Sequence, residues 1–366
     1  MSTNRTEIHE SFLRLVRLGI GNVDVNSGID VNSSEDWVVL KALADAQGLS
    51  AIILDALNKD GMNIANTIPV QMKLEWIGEV MQNVETRYEQ YEKAIGSLAG
   101  WYNQHGFKMM VLKGYACSLD WPKPEHRPCG DIDIWLFGNQ KESDALLVKG
   151  KAIKVDTSHH HHTVFEWGGF AVENHYDFVN VHAHRSNAEI EKIFKKLSED
   201  DSHSVEVMGE KIYLPSPNLH ALFLIRHMVS HFAASQISLR HVLDWAFFVE
   251  KHTNDVDWKC LLSLLEKYHM KDFFNLINAI CVDDLGFPVN LFPTVQFVSD
   301  LKERLLDDIL NPEYIKVDPQ RFLPRVVYKY KRWQRNAWKQ RLCYKESRWE
   351  MFWTGIWAKI LKPASI

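Results

Sequence analysis

Two aspartates two residues apart, Asp131 and Asp133, stand in the run Arg127-Pro128-Cys129-Gly130-Asp131-Ile132-Asp133-Ile134, and an earlier apolar run ends in Lys113-Gly114. In a strand, residues two apart share a face, so Asp131 and Asp133 project together while Ile132 and Ile134 point into a core. Two carboxylates that close repel, and burying them is costly unless a cation sits between them. Hard divalent ions with oxygen ligands, Mg²⁺ or Mn²⁺, suit such a pair. Gly114 has a different use. A Gly between a strand and a helix lets the backbone approach a phosphate, whose charge the helix N-terminus favours. Lys113 or Arg127 can pair with phosphate oxygens in the same place. A structural ion pair with Asp131 or Glu125 is the competing role for Arg127. Together these residue types point to chemistry on phosphate groups.

A third acid, Glu173, lies in the strand-like run Phe170–Phe178. Period-two alternation there puts Glu173, His175 and Asp177 on one face and Val172, Tyr176 and Phe178 on the other. If that strand packs beside the Asp131 strand, Glu173 completes a three-carboxylate cluster. Such a cluster suits two ions about 3.5–4 Å apart that grip attacking and leaving oxygens.

The elements that must position these groups follow from apolar spacing and breakers. Thr6–Leu18 and Glu35–Asn58 have helical periodicity, the second capped by Ser33-Ser34. Pro69 opens a long helical pattern over Gln71–Gln104 that Gly106 stops. Phe107–Leu112 reads as a buried strand, Tyr115–Leu119 as the start of a helix, and the proline-rich stretch Asp120–Cys129 as a loop. Asp131–Phe137 is the second strand and Lys141–Lys149 a helix. Thr163–Trp167, Gly168-Gly169 and Phe170–Phe178 form a hairpin by their turn chemistry. Ala188–Leu197 is helical, and Val205–Leu214 is a strand pair around Gly209. After Pro215 and Pro217 come long amphipathic helices at Asn218–Phe232, Ser238–Lys251 and Trp258–Tyr268. Helices, a mixed αβ segment and helices again give an α+β class: a small mixed β-sheet core between N- and C-terminal helical regions. The expected organisation is a helical region at 1–68, the site-bearing core at 69–215, and a helical region with a basic, Trp-rich tail at 216–366.

The 366 residues, 46% hydrophobic and 24% charged, suffice for a large core and describe a soluble globular protein. No apolar leader follows Met1, and no run approaches a membrane span. The five cysteines, Cys117, Cys129, Cys260, Cys281 and Cys343, are scattered without C-x-x-C spacing, which argues against a disulfide framework or zinc ribbon and for a reducing cytoplasm. The net charge of −5 hides an asymmetry. From Arg321 onward twelve Lys/Arg face two acids, a local +10, so the preceding 320 residues carry −15. Such a tail serves as an internal electrostatic clamp or a patch for an anionic partner.

The pattern of Leu112-Lys113-Gly114, Arg127 followed by Asp131-Ile132-Asp133-Ile134, and Val172-Glu173-Asn174-His175 resembles the nucleotidyltransferase superfamily of the polymerase-β type. Within it, the pattern is most similar to the branch called uncharacterised nucleotidyltransferase family 5. Leu239-Arg240-His241-Val242-Leu243-Asp244-Trp245 also resembles the helix with an Asp-aromatic ending found there, and the likeness spans about residues 95–250. The resemblance implies a mixed sheet flanked by helices that binds an NTP, ATP among them, with Mg²⁺. Asp131 and Asp133 would hold metal, and Glu173 would be the third acid, a metal ligand and a base for the acceptor hydroxyl. Lys113, Gly114, Tyr115, Arg127 and Gly130 would form the nucleotide-binding part. One departure is Gly114-Tyr115, where the superfamily has Gly-Gly or Gly-Ser; a Tyr there removes a small hydroxyl that helps hold a phosphate. The expected activity is transfer of an NMP from an NTP to an unidentified small molecule, protein or RNA. Amide variants of Asp131 or Asp133 should then abolish transfer with the fold intact. The competing functions are a catalytically degenerate nucleotide- or partner-binding protein, and a nucleic-acid-binding protein acting through its tail.

Three features lie outside that pattern. His159–His162 is a run of four histidines. Imidazoles bind Zn or Ni, but consecutive residues in an extended segment point to opposite sides, so a structural or solvent-exposed role is expected. His182 and His184 share a face and are expected on a polar rim, with contact to the acceptor or a phosphate as the alternative. In the tail, Trp338, Leu342, Trp349, Phe352, Ile356 and Ile360 make a helical apolar stripe expected to pack on the acidic body. Arg335, Lys339, Arg341, Lys345 and Arg348 lie mostly elsewhere on that helix; nucleic-acid and membrane-surface contacts are the alternatives.

Overall fold

A helical layer comes first because the chain starts with apolar residues at helical spacing and capped ends. The structure, a computed structural model, describes residues 2–22, 29–59, 67–295, 299–311, 322–347, 349–350 and 353–354. Helix α1 is Ser2–Ile20, α2 Ser34–Gln47 and α3 Ser50–Leu57. The periodic run Glu35–Asn58 is thus two helices rather than one. Ser33 and Asp36 close a capping box on α2, and Gly48 at φ +70° ends it in the left-handed conformation. Helix α4, Val70–Val80, passes through a π turn at Met81–Glu85 into α5, Thr86–Gln104, so the long helical pattern holds as a path.

The sheet follows. Strand β1 is Met110–Val111, shorter than the apolar run Phe107–Leu112 because α6, Lys113–Ser118, begins directly after Leu112. Strand β2 is Ile132–Trp135 and helix α7 Gln140–Lys151. Strands β3, His162–Trp167, and β4, Phe170–His175, form the expected hairpin. Gly168 and Gly169 both have positive φ, +60° and +83°, as the tight turn between twisted strands requires. Strand β4 ends at His175, so Asp177 leaves the face expected for it and pairs with Lys195 at 2.5 Å. Helix α8 is Asn187–Leu197, and β5, Ser204–Val207, pairs with β6, Glu210–Tyr213.

The six strands run in the order β3-β4-β2-β1-β6-β5. Pairs β2–β4 and β1–β6 are parallel, and the other three are antiparallel. One sheet face, with Val111, Ile132, Ile134, Phe165, Val172 and Ile212, packs on Tyr91, Ile95, Leu98 and Tyr102 of α5. The other face belongs to a larger core that includes Met110, Leu112 and Trp135 and the C-terminal helices. Those are α9, Pro217–Ala234; α10, Leu239–His252; α11, Trp258–Lys267; α12, Lys271–Ala279; α13, Ser299–Leu310; and, after α14, Phe322–Arg335, of which no described residue joins the core, α15, Ala337–Cys343. Helices α1–α3 share this second core. The class is α+β, as expected.

The tail differs from its expected single helix. Tyr344 is extended, at φ −137° and ψ 141°, and ends α15. Up to that point the stripe does pack inward: Leu342, Cys343 and Tyr344 are buried and Trp338 meets Phe232 edge-on. Lys339, 2% exposed, is clamped by Asp308 at 2.5 Å and by the Ser235 carbonyl. Trp349 is exposed, and Arg348, Phe352, Ile356 and Ile360 lie outside the described residues.

The end of β4 is held by a buried acid. One Glu191 oxygen accepts the backbone N–H groups of Phe178 and Val179, at 2.9 and 3.0 Å. Burial pushes the Glu191 carboxyl up to about 7, against an ordinary value of 4.5. The folded protein therefore keeps a proton that the unfolded chain releases, and this group's contribution to stability falls as pH rises from about 4.5 to about 7. Glu191→Gln should remove that slope, measured as the wild-type-minus-variant difference in denaturation midpoint against pH. A difference that does not vary with pH would show that Glu191 titrates normally.

Candidate active site

Asp133 sits near the middle of β2, flanked by Ile132 and Ile134, which the helical layer on the opposite face buries completely. Its side chain therefore emerges on the face covered by α9 and α10, where it is only 1% exposed. A carboxylate so buried needs partners. Lys113 Nζ lies 2.9 Å and His175 Nε2 3.0 Å from the same oxygen, Oδ1. Burial would raise the Asp133 carboxyl, but Lys113 and His175 outweigh it and hold the group well below the ordinary range. Lys113 in turn keeps its charge against burial through Asp133, Asp131 and Glu173.

Strand pairing brings the third acid in. In the parallel β2–β4 ladder Asp133 is the register partner of Glu173, and Trp135 of His175. Glu173 Oε2 is 3.5 Å from His175 Nε2. His175 also reaches the Asp177 carbonyl through Nδ1 at 3.2 Å. Burial opposes its charge, yet Asp133 and Glu173 push the imidazole up to about 9, so both ring nitrogens donate at neutral pH. Asp133, Glu173 and His175 each offer a ligand atom within 4.8 Å of the others, an arrangement able to hold a metal ion. Asp131 stands just before β2, outside that trio. The charge of Asp133, and then burial, raise its carboxyl, the mark of two like charges with too little cation between them.

Gly114 is where it must be for the chain to pass. Its neighbour Tyr91 donates its hydroxyl to the Asp131 carbonyl at 2.8 Å, and a Cβ on Gly114 would meet that hydroxyl at 2.5 Å. Tyr115 points away from the acids: its ring is buried beside Tyr88 and Tyr91, and its hydroxyl donates to Glu92 at 3.1 Å. Only its backbone faces the turn, so the bulky side chain does not fill the place of the missing small hydroxyl.

Lys113, Gly114, Arg127, Gly130, Asp131 and Asp133 line one cavity of about 220 Å³, closed by α9 and α10. Glu173 and Tyr115 are not among its lining residues. Arg127 is neither the Asp131 nor the Glu125 partner. It makes a two-pronged pair with Asp244, 2.7 and 2.9 Å, and Trp121 Nε1 donates to the same carboxylate at 2.9 Å. That pairing needs a fold contact 117 positions away, which no local pattern displays.

The cavity also holds residues not foreseen as site groups: His227 and His231 from α9, and Arg240 and His241 from α10. His227 and His231 are four apart on one helix face, a spacing visible in the chain but silent about what that face covers. His227 Nε2 is 3.5 Å from Lys113 Nζ, and Arg240 donates to the Pro128 carbonyl at 2.9 Å. Burial keeps His227, His231 and His241 neutral, assisted by Lys113 for the first two and by Arg240 for the third. His241 Nδ1 accepts the Ser238 backbone N–H in the α10 capping box, so the neutral ring carries its proton on Nε2. The carboxylates thus face a wall of Lys113, Arg127 and Arg240, a surface suited to a polyanion. His182 and His184 line a different cavity of about 490 Å³ with Trp349 and Trp353.

Of the structural or solvent-exposed role expected for the four-histidine run, exposure does not hold for His160 and His162. His160 and His162 are buried, and His161, His162 and His175 form a second group of ligand atoms within 4.8 Å of one another. No helix among the described residues is long and apolar enough to cross a membrane.

A sequence family described as "Uncharacterised nucleotidyltransferase" matches residues 33–285, from the start of α2 to beyond α12. The crystal structure of an antigenic nucleotidyltransferase-like protein from Paracoccidioides brasiliensis matches at 14% identity and a TM-score of 0.34, over 49% of this chain and 88% of that one. No curated protein matches this chain.

Gly114→Ala should displace Tyr91, weaken the Tyr91–Asp131 contact and lower the melting temperature, while adding Tyr91→Phe, which removes the clashing hydroxyl, should recover part of the loss. Melting curves of the two single variants and the double variant give the coupling; strictly additive losses would mean that Gly114 and Tyr91 do not touch.

Proposed function

The chain belongs to the uncharacterised nucleotidyltransferase family that matches residues 33–285, and from that premise we propose that it transfers an NMP from an NTP to an acceptor, releasing pyrophosphate. The observation that carries the reading is the β2–β4 register. It sets Asp133 beside Glu173, with Asp131 two residues before and Lys113-Gly114 across β1.

The donor set fits a hard divalent ion. Asp131, Asp133 and Glu173 are oxygen ligands, and the raised Asp131 carboxyl marks a place short of positive charge. Those three residues would hold Mg²⁺ or Mn²⁺, which when bound neutralises charge on the phosphates and polarises the reacting phosphoryl group. The chain's own groups do the rest. Lys113, Arg127 and Arg240, with the backbone of Gly114, Tyr115 and Gly130, would take the triphosphate. Lys113 would have to exchange part of its hold on Asp133 for a phosphate oxygen. Glu173 is ionised at neutral pH, held low by the His175 hydrogen bond against burial. In the reaction the acceptor oxygen attacks the α-phosphorus, the bond to the bridging oxygen breaks, pyrophosphate leaves, and Glu173 takes the acceptor's proton.

A second reading, a nucleotide-binding protein without transfer, is favoured by one observation. Lys113 and His175 already compensate Asp133 within the protein, so that buried carboxylate stays charged without an ion.

Asp133→Asn is not the clean probe that the D-x-D pattern suggests. It takes from buried Lys113 and charged His175 the carboxylate that both hold, leaving Glu173 and Asp131 as the remaining negative charges, and so costs stability as well as activity. Asp131, outside the ion-paired trio, is the better position. Wild type should gain thermal stability with an NTP and Mg²⁺ together, by about 2.7 kcal/mol at a hundredfold excess over the dissociation constant. Asp131→Asn should lose the metal-dependent part. Glu173→Gln should keep most of the binding yet fail to release pyrophosphate in an acceptor screen. No shift with any NTP would overturn the proposal, and a shift with no turnover for any acceptor would favour the second reading.

A further inference from the structure

We infer that His161, His162 and His175 form a separate site for a borderline divalent ion such as Zn²⁺, at the edge of the carboxylate cluster. The inference does not depend on nucleotidyl transfer. It starts from the local backbone. His162 opens β3 and is the antiparallel register partner of His175 on β4, so these two rings share one face. Their centroids are 5.2 Å apart. His161 precedes the strand in a bend, where its carbonyl accepts the N–H groups of both Tyr176 and Asp177. That bend cancels the alternation of an extended chain, and the His161 ring lies 4.4 Å from His162 and 5.6 Å from His175.

The second observation concerns unspent donors and acceptors. His162 is 6% exposed, and neither of its ring nitrogens has a hydrogen-bond partner; His161 Nδ1 is buried and has none either. Buried imidazole nitrogens are ordinarily satisfied. Here three from two neighbouring rings are not, and one ligand atom from each of His161, His162 and His175 lies within 4.8 Å of the others. A tetrahedral Zn²⁺ with Zn–N distances of about 2.0–2.1 Å needs nitrogens about 3.3 Å apart, a closure that imidazole rotation supplies. Glu173 Oε2, 3.8 Å from His162 Nδ1, is the anionic group at hand to balance the ion's charge. Imidazoles select Zn²⁺, Co²⁺ or Ni²⁺ over Mg²⁺, so this site and the carboxylates take different ions. His175 belongs to both groupings, so to bind the ion it must release the proton of one ring nitrogen and give up that nitrogen's hydrogen bond to Asp133 or to the Asp177 carbonyl.

The test uses the full chain with Zn²⁺ in equilibrium dialysis and with Co²⁺ in visible absorption. Wild type should bind one equivalent of Zn²⁺, and the Co²⁺ form should show the intense visible bands of four-coordinate, nitrogen-rich ligation. His162→Ala and the His161→Ala/His162→Ala pair should weaken Zn²⁺ binding about tenfold or more, since even the loss of an outer contact to a metal ligand has an effect of that order. Asp131→Asn, which belongs to neither histidine nor trio, should bind Zn²⁺ like wild type while losing the Mg²⁺-dependent NTP response. Failure of the two readings is thereby separable. Zn²⁺ binding that survives the paired substitution, or the absence of the four-coordinate Co²⁺ spectrum in wild type, overturns the inference. The wild-type spectrum serves even where a variant folds poorly.

Discussion

The site depends on one carboxylate placed where water does not reach. Asp133 is almost wholly buried between the sheet and the C-terminal helices, and a bare charge there would not survive. Lys113 and His175 make it tolerable, each from a different neighbouring element. Lys113 comes from the start of α6, which follows β1 on one side of β2, and His175 from the end of β4 on the other. The ion pairs therefore tie the central three strands together through one atom, and they fix where α6 must begin. This also explains why β1 is so short: the chain must turn at once into α6 to bring Lys113 back over Asp133.

A second buried charge pair fixes the other wall. Arg127 and Asp244 join the loop before β2 to α10, with Trp121 donating to the same carboxylate. Burial opposes both charges, and each restores the other: Asp244 keeps Arg127 charged, and Arg127 holds Asp244 low. Such a pair adds little net stability over an apolar contact, but it is unforgiving of displacement. It sets the distance between the carboxylate strand and the α9–α10 wall, and thus the width of a cavity of about 220 Å³. The family match extends through these helices, so the wall lies within the matched region.

The structure uses histidine in three electrostatic settings within a short distance. His175, between two carboxylates, is charged. His227, His231 and His241, facing Lys113 and Arg240, are neutral. His161 and His162 are held neutral mainly by burial, with His175 adding to it; His162 is pushed down to about 4. The residue type is the same throughout, and the difference lies in what the fold packs against each ring.

What the chain determined by itself is whatever rests on local periodicity and local turns. The strand that turns Asp133 away from Ile132 and Ile134, the Gly168-Gly169 hairpin and the helical runs around the sheet could all be read from residues a few positions apart, although β2 begins only at Ile132 and leaves Asp131 just before it. So could the α+β class, because the order of elements is local information. The errors were local too: Gly48 divides one periodic run into two helices, and Tyr344 interrupts the tail stripe. The tertiary structure alone decided which strand lies beside β2, and therefore that Glu173 faces Asp133. It alone paired Arg127 with Asp244, turned Tyr115 away from the acids, and put His227, His231 and Arg240 over them. It also bent the backbone at His161, so that two consecutive histidines share a side. The physical reason is range: a strand's two faces are set by its own alternation, but burial and charge compensation are set by residues distant in the chain, 42 positions apart for Asp133 and His175 and 117 for Arg127 and Asp244.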